Sequence, residues 1–532
     1  MIVTKNRVWQ GGELLLSSMV TALLLVLAMP GRFGWWPLLF VALVPLLVFI
    51  TGKGPRTSFS AGLLTGFFFH VGMLYWIVIV LGRYGGLPPA LSVPAVLLLS
   101  LYMGMYTAVF AGLISFLGSR EKDRGNAIRF LFAAPFLWVG LDWLRSILFS
   151  GFPWMDLGYG LYSQPVLLQL ADLGGHHLIT FVLIMINGLV LFAVNLLRHD
   201  NSGKKMHKIR SAVSLAVVFL FLATGYSVFR YRHFSRLSET SPRFQVTVAQ
   251  GNIAQDEKWT PAMKASTLDV YRRLSGEAVD RSRSSLVVWP ETALPFFPVN
   301  DPLFSTVSGW AASRGVWLLT GAPYFEIASD LQRSFKNAVV YFNSALLISP
   351  GGKIAGRYDK QHLVPFGEYV PLRKLLFFLE PLVESVGNFS SGSSGAPLTA
   401  GEIKLGVLIC YESIFPALAR EEAAAGANVL VNITNDAWYG RSSAPYQSFA
   451  MAVLRAVENR RSLVRAANTG ISGFVDPVGR VMDKSPIFEA LSLSAAVPVL
   501  ESETIFTGLG HMFAPGCLLL FPLMFALRRR KK

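Results

Sequence analysis

The stretch "KLGVLICYES", residues 404–413, runs without a break into "SIFPALAREEAAAG", residues 413–426. The first part is an apolar run of strand length and the second has the pattern of a helix, so the segment reads as strand, turn and helix in an α/β domain. Cys410 stands at the joint and is one of only two cysteines in 532 residues. It is either a small buried filler, as free cysteines often are, or a nucleophile presented at a strand tip. A following helix N-terminus would favour its thiolate.

The same alternation extends over residues from about 240 to 505. Strand-like runs occur at "FQVTVAQ", "SLVVWPE", "VWLLTGAPY", "AVVYFNSALLIS", "NVLVNITND" and "SLVRAANTG". Helix-like stretches fall at 261–283, 302–314, 414–426 and 444–461. Strands alternating with helices predict a sheet covered by helices, with ligands gathering where strands end. Four of these strands end in polar or reactive groups: Glu291, Cys410, Asn435 with Asp436, and Asn468 with Thr469.

The rest of the chain is oily. Apolar residues make up 52% of the sequence and charged residues only 15%, which a soluble domain rarely shows. Runs of spanning length lie at about 13–29, 35–51, 57–81, 88–118, 127–148, 166–197, 209–229 and 511–527. The first is followed by a second span and lacks a convincing cleavage site, so it reads as a retained anchor. Asp142 and Arg145, three apart in "LDWLRS", are spaced to pair on one helix face, as a functional group or as a helix-end ion pair.

Charge sets the orientation. Residues 230–503 hold 27 Lys+Arg and 25 Asp+Glu, which leaves 21 basic and 7 acidic residues in the oily part. The basic excess therefore belongs to membrane loops, and a nucleic-acid partner loses its main support. Lys and Arg crowd alternate loops and the C-terminus, which places both termini in the cytoplasm and the polar segment outside it. ATP and NAD(P)H are then poor candidates as reactants. Two cysteines make neither a disulfide framework nor a zinc spacing, so no metal and no cofactor are expected.

If Cys410 is a nucleophile, it needs a base and an oxyanion partner. Glu291 in "WPET" (289–292) and Lys360 in "YDKQHLVPFGEY" (358–369) are the candidates, with the Tyr411 N–H as a second donor. Taken singly, each has an ordinary reading as a solvated charge. Together with "ICYES" (409–413), these motifs resemble the carbon–nitrogen hydrolase, or nitrilase, superfamily. "AQGNIAQDEKW" (249–259), "HLVPFGEYVP" (362–371), "TNDAWYG" (434–440) and "ANTGISGFVDPVG" (467–479) are similar to the apolipoprotein N-acyltransferase family within it.

The resemblance implies a multi-span α-helical membrane domain plus an extracytoplasmic nitrilase-like α/β domain, an α-β-β-α sandwich. The expected division is a membrane part of about seven spans over 1–229, a catalytic domain over 230–508, and a last span with a basic tail over 509–532. It makes Glu291 the general base, Lys360 the oxyanion stabiliser and Cys410 the nucleophile. Glu368, Tyr411, Glu412 and Trp259 take supporting roles; for Glu368 and Glu412 a structural ion pair is the alternative. Trp438 and Tyr439 line a substrate entrance or simply pack. The apolar segment 371–387, with Phe377 and Phe378, reads as a lid dipping into lipid or as a packed helix.

The implied partners are a phospholipid acyl donor, a diacylglyceryl apolipoprotein acceptor and membrane lipid, for a monomer in a bacterial inner membrane with the catalytic domain facing the periplasm. A membrane-tethered amidase that releases the acyl group to water is the competing reading.

Overall fold

A computed structural model describes residues 2–118, 129–198, 205–255, 258–327, 339–369, 389–393 and 395–529. The chain divides into two compact units. One comprises Met1–Val78, Leu87–Tyr231 and Leu509–Lys532, the other Ile79–Gly86 and Arg232–Gly508.

The first unit is helical. Among the described residues of the chain, six helices are long and apolar enough to cross a membrane: Gly11–Ala28, Pro55–Leu74, Pro89–Leu117, Phe130–Ser150, Ala171–Asn195 and Ser211–Thr240. The second and eighth expected spans coincide with shorter apolar helices at Trp36–Ile50 and Phe513–Leu523. The former is two short helices, each opened by a proline, Pro37 and Pro45, which lack the N–H a continuous helix needs.

Small residues let two spans touch. A Cβ on Gly66 would lie 2.6 Å from Gly104 Cα, so the helices Pro55–Leu74 and Pro89–Gly118 meet backbone to backbone. Arg145 is buried and has more partners than its own helix offers. It reaches Asp142 at 3.5 Å, pairs with the Asp156 carboxylate, and donates to His70 Nε2 at 3.3 Å. His176 holds the other Asp156 oxygen at 2.7 Å. The Asp142–Arg145 pair is thus one part of a buried polar cluster joining several helices.

In the second unit the described strands are β1 (Arg243–Gln250), β2 (Leu286–Val288), β3 (Trp317–Ile327), β4 (Val339–Ile348), β5 (Ile354–Asp359), β6 (Leu398–Ala400), β7 (Ile403–Ile409), β8 (Val429–Thr434), β9 (Ser462–Ala467), β10 (Gly473–Val475), β11 (Val481–Lys484) and β12 (Leu491–Pro498). They form two six-stranded sheets, ordered β12-β1-β2-β3-β4-β5 and β11-β10-β9-β8-β7-β6. Strands β1 to β3 run parallel, as do β7 to β9, while the flanking strands are antiparallel.

Period-two alternation sorts the side chains into layers. Leu286 and Val288 of β2 join Val246, Val248, Val407, Ile409, Val431 and Val464 in the core between the sheets. Val287 and Trp289 point the other way, onto Leu268, Tyr271, Val307 and Trp310 of the helices Pro261–Ser282 and Leu303–Arg314. The helices Pro416–Ala424 and Ala444–Asn459 pack on the second sheet. The result is the α-β-β-α sandwich, in which each fully buried Val, Leu or Ile contributes about 1.5–3 kcal/mol. Strand β5 is antiparallel to β4, which is antiparallel to β3, so β5 ends on the same side as β2.

Candidate active site

The carboxyl ends of these strands carry the polar groups. Cys410 follows β7 directly, in a short 3-10 turn, Cys410–Ile414. Its φ is +52°, a left-handed conformation that costs a non-glycine residue free energy and turns the side chain sharply away from the strand. The helix expected to flank it begins at Pro416, beyond that turn. Burial above all, then the Glu291 carboxylate, push the thiol up to about 12, against the Lys360 charge and a hydrogen bond with Thr434. Desolvation thus outweighs the nearby positive charge and favours the thiol over the thiolate.

Glu291 lies three residues beyond β2. Its Oε1 accepts from Asn343 Nδ2 at 2.8 Å and its Oε2 from the Asn435 N–H at 2.9 Å. Lys360, one residue beyond β5, places Nζ 3.7 Å from Glu291 Oε1 and 2.9 Å from Glu368 Oε1. Burial disfavours its charge, but Glu368 and Glu291 outweigh that and hold it above the usual lysine range. Glu368 also accepts from Asn343 Nδ2 at 3.0 Å and, through Oε2, from the Val364 N–H at 2.8 Å. Asn343 thus ties the two carboxylates together from the middle of β4. The sequence signal for it was a lone Asn inside the apolar run "VVYFNSALLI".

Glu412 is fully buried and holds backbone. Its Oε1 accepts from the Gln361 and His362 N–H groups at 2.6 and 3.1 Å, its Oε2 from Ile409 N–H at 2.6 Å, and Tyr358 OH reaches both. It therefore fastens the end of β7 to the loop that carries Lys360. Burial pushes its carboxyl up to about 7, with the backbone donors pulling the other way. A Glu412→Gln variant turns one acceptor into a donor facing N–H groups. It should lose about 2 kcal/mol in chemical denaturation with both sheets retained by circular dichroism.

Tyr411 is buried, its ring 5.0 Å from Phe415, and Phe415 lies 3.8 Å from the His362 ring. Burial and the Lys360 charge lower His362 to about 4, so it stays neutral at pH 7. Trp259 is 45% exposed, while its neighbour Lys258 is fully buried and donates to Thr292 Oγ1 at 2.8 Å. Trp438 packs edge-on against Tyr84 with centroids 5.0 Å apart, and Tyr84 OH donates to Ala437 O at 3.0 Å. Burial, then Cys410, Asp436 and Glu291, raise the Tyr439 hydroxyl well above its ordinary value, which sets that hydroxyl among the site's charges. Phe377 and Phe378 lie outside the described residues.

The other strand ends complete the wall. Asn468 Nδ2 donates to Asn435 Oδ1 at 3.0 Å, and the buried Arg465–Asp436 pair, 3.1 Å apart, anchors the loop after β8. Gly321 of β3 supports Glu291 from beneath: a Cβ there would sit 2.4 Å from Thr292 N and 2.6 Å from Glu291 Cα. Gly321→Ala is accordingly expected to displace Glu291 and slow turnover about 10- to 100-fold, read from initial rates on folded protein.

Residues 245–499 match the carbon-nitrogen hydrolase family, and residues 21–189 match the apolipoprotein N-acyltransferase N-terminal domain. An apolipoprotein N-acyltransferase of Geobacter metallireducens is 40% identical over 518 residues, covering 97% of this chain and 95% of that one. One of Methylococcus capsulatus is 33% identical over 508 residues, covering 94% of each chain. The chain belongs to the apolipoprotein N-acyltransferase family. Family and apolar helices together make it a membrane-bound acyltransferase. Within that family its nitrilase-like half carries Glu291, Lys360 and Cys410, and its helical half carries the Arg145 cluster.

Proposed function

We propose that this chain moves a fatty acyl group from a phospholipid, through a thioester on Cys410, to the α-amino group of the S-diacylglyceryl cysteine that begins an apolipoprotein. The observation that carries this reading is the convergence of Glu291, Lys360 and Cys410, from two sheets and three separate motifs, in one buried site. Glu291 and Lys360 stand 3.7 Å apart there, and the thiol feels both charges. A neutral thiol needs a base at the moment of attack, which is the role given to Glu291.

In the first half-reaction Cys410 Sγ bonds to the ester carbonyl carbon as Glu291 takes the thiol proton. Lys360 stabilises the oxyanion. The C–O bond breaks, Glu291 returns the proton to the departing oxygen, and lysophospholipid leaves. In the second half the amine attacks the thioester, Glu291 accepts its proton, and Cys410 leaves and is reprotonated. Both substrates keep their chains in a bilayer, which accounts for joining this chemistry to apolar helices.

The alternation of Lys and Arg between loops supports cytoplasmic termini and a catalytic domain, 230–508, on the periplasmic side of a bacterial inner membrane. Membrane parts at 1–229 and 509–532 complete the arrangement.

The test uses full-length protein in vesicles of phosphatidylethanolamine and phosphatidylglycerol with a synthetic diacylglyceryl-cysteinyl peptide. N-acylated peptide should appear in step with lysophospholipid. Free fatty acid formed at the same rate with and without peptide would instead support the hydrolytic amidase.

A further inference from the structure

Lys258 is among the largest fully buried side chains in the protein, yet the acyl-transfer steps make no use of it. Burying an ammonium group is costly unless it is matched by partners. Its Nζ donates to Thr292 Oγ1 at 2.8 Å and, at a longer 3.4 Å, to the main-chain carbonyl of Glu291. Burial lowers its pKa to about 8, and the Glu291 carboxylate opposes this.

The turn it grips is strained. Thr292 has φ +46°, a conformation that a β-branched residue adopts only when its surroundings enforce it. Gly321 meets that turn on the strand side, where the Gly321 N–H donates to Pro290 O at 3.1 Å and Leu294 N–H to Gly321 O at 3.0 Å. The Glu291–Thr292 turn is therefore held from two directions, by the β3 backbone and by the Lys258 ammonium. The carboxylate it aims has little freedom left, since Asn343 and Asn435 each bind one of its oxygens.

We infer that Lys258 is a positioning residue of the acyl-transfer site, which locks the Glu291–Thr292 turn through Thr292 Oγ1 and the Glu291 carbonyl so that the Glu291 carboxylate faces Cys410 and Lys360. This rests on the reading of Glu291 as the base. It gives the buried lysine of the "KW" pair at 258–259 a role beside the one expected of Trp259.

The experiment follows single-turnover acylation of Cys410 by phospholipid in mixed micelles, by intact mass, on full-length wild type, Lys258→Met, Thr292→Val and the double variant. Amplitude gives the fraction of chains able to react, and rate gives the quality of the site. Lys258→Met should slow the maximal rate about 10- to 100-fold at unchanged half-saturating lipid. Thr292→Val removes the acceptor without changing side-chain shape and should slow it in the same direction. The double variant should be little worse than Lys258→Met, because both remove one contact.

A structural role alone would lower amplitude and melting temperature and leave the rate of the reacting fraction intact; that outcome, or fully additive effects, overturns the inference. If Lys258→Met does not fold, Thr292→Val at wild-type rate overturns it by itself. Wild type that gains no acyl group, or Glu291→Gln that gains it at wild-type rate, refutes the base assignment and this inference with it.

Discussion

Glu291→Gln is expected to fold, bind phospholipid and lose Cys410 acylation by about 10²- to 10⁴-fold, the range that a positioned general base supplies. Burial pushes the thiol up to about 12, so attack calls for a base that takes its proton. Glutamine keeps the volume and can still accept from Asn343 or from the Asn435 N–H through its single oxygen, but not from both. The accompanying loss of stability is about 1–3 kcal/mol, that of one unsatisfied buried donor. Acylation rates by rapid quench, set beside a denaturation curve, separate the two effects. A variant within threefold of wild type would remove Glu291 from the mechanism.

Lys360→Met should cost both chemistry and stability, and the two can be told apart. The ammonium sits between Glu368 and Glu291, all three side chains buried, so its removal strands two carboxylates. Breaking a buried pair in this way costs about 3–5 kcal/mol. Loss of the oxyanion partner should add about 10²- to 10³-fold in rate on whatever protein remains folded. Adding Glu368→Gln removes one stranded charge. The double variant is expected to regain much of the stability and none of the rate. Recovery of both together would mean that Lys360 serves only to neutralise its neighbours.

The sequence displayed the strand ends well because each reactive residue follows a short apolar run at a fixed place. "LVVWPE" and "KLGVLIC" read as strands, and Glu291 and Cys410 were visible as their exits. Asn343 was hidden because it lies within a strand, where only a fold tells which face meets the site. Lys258 carried no signal of its own, because a lone lysine is ordinarily solvated. Its burial depends on Thr292, 34 positions away.

The contact of Tyr84 with Trp438 and Ala437 joins residues some 350 apart and leaves no local pattern to read. The distance from Cys410 to the following helix was also not legible. A 3-10 turn separates Cys410 from the helix at Pro416, and desolvation then decides the thiol's state.

Passage of the acyl group through Cys410 is tested by intact-mass measurement of full-length protein incubated with phospholipid in the absence of any amine acceptor. Wild type should gain a fatty-acyl mass increment that hydroxylamine removes and that Cys410→Ala never acquires. An unmodified wild type that nevertheless N-acylates peptide when acceptor is added, or an increment that persists in Cys410→Ala, would contradict it.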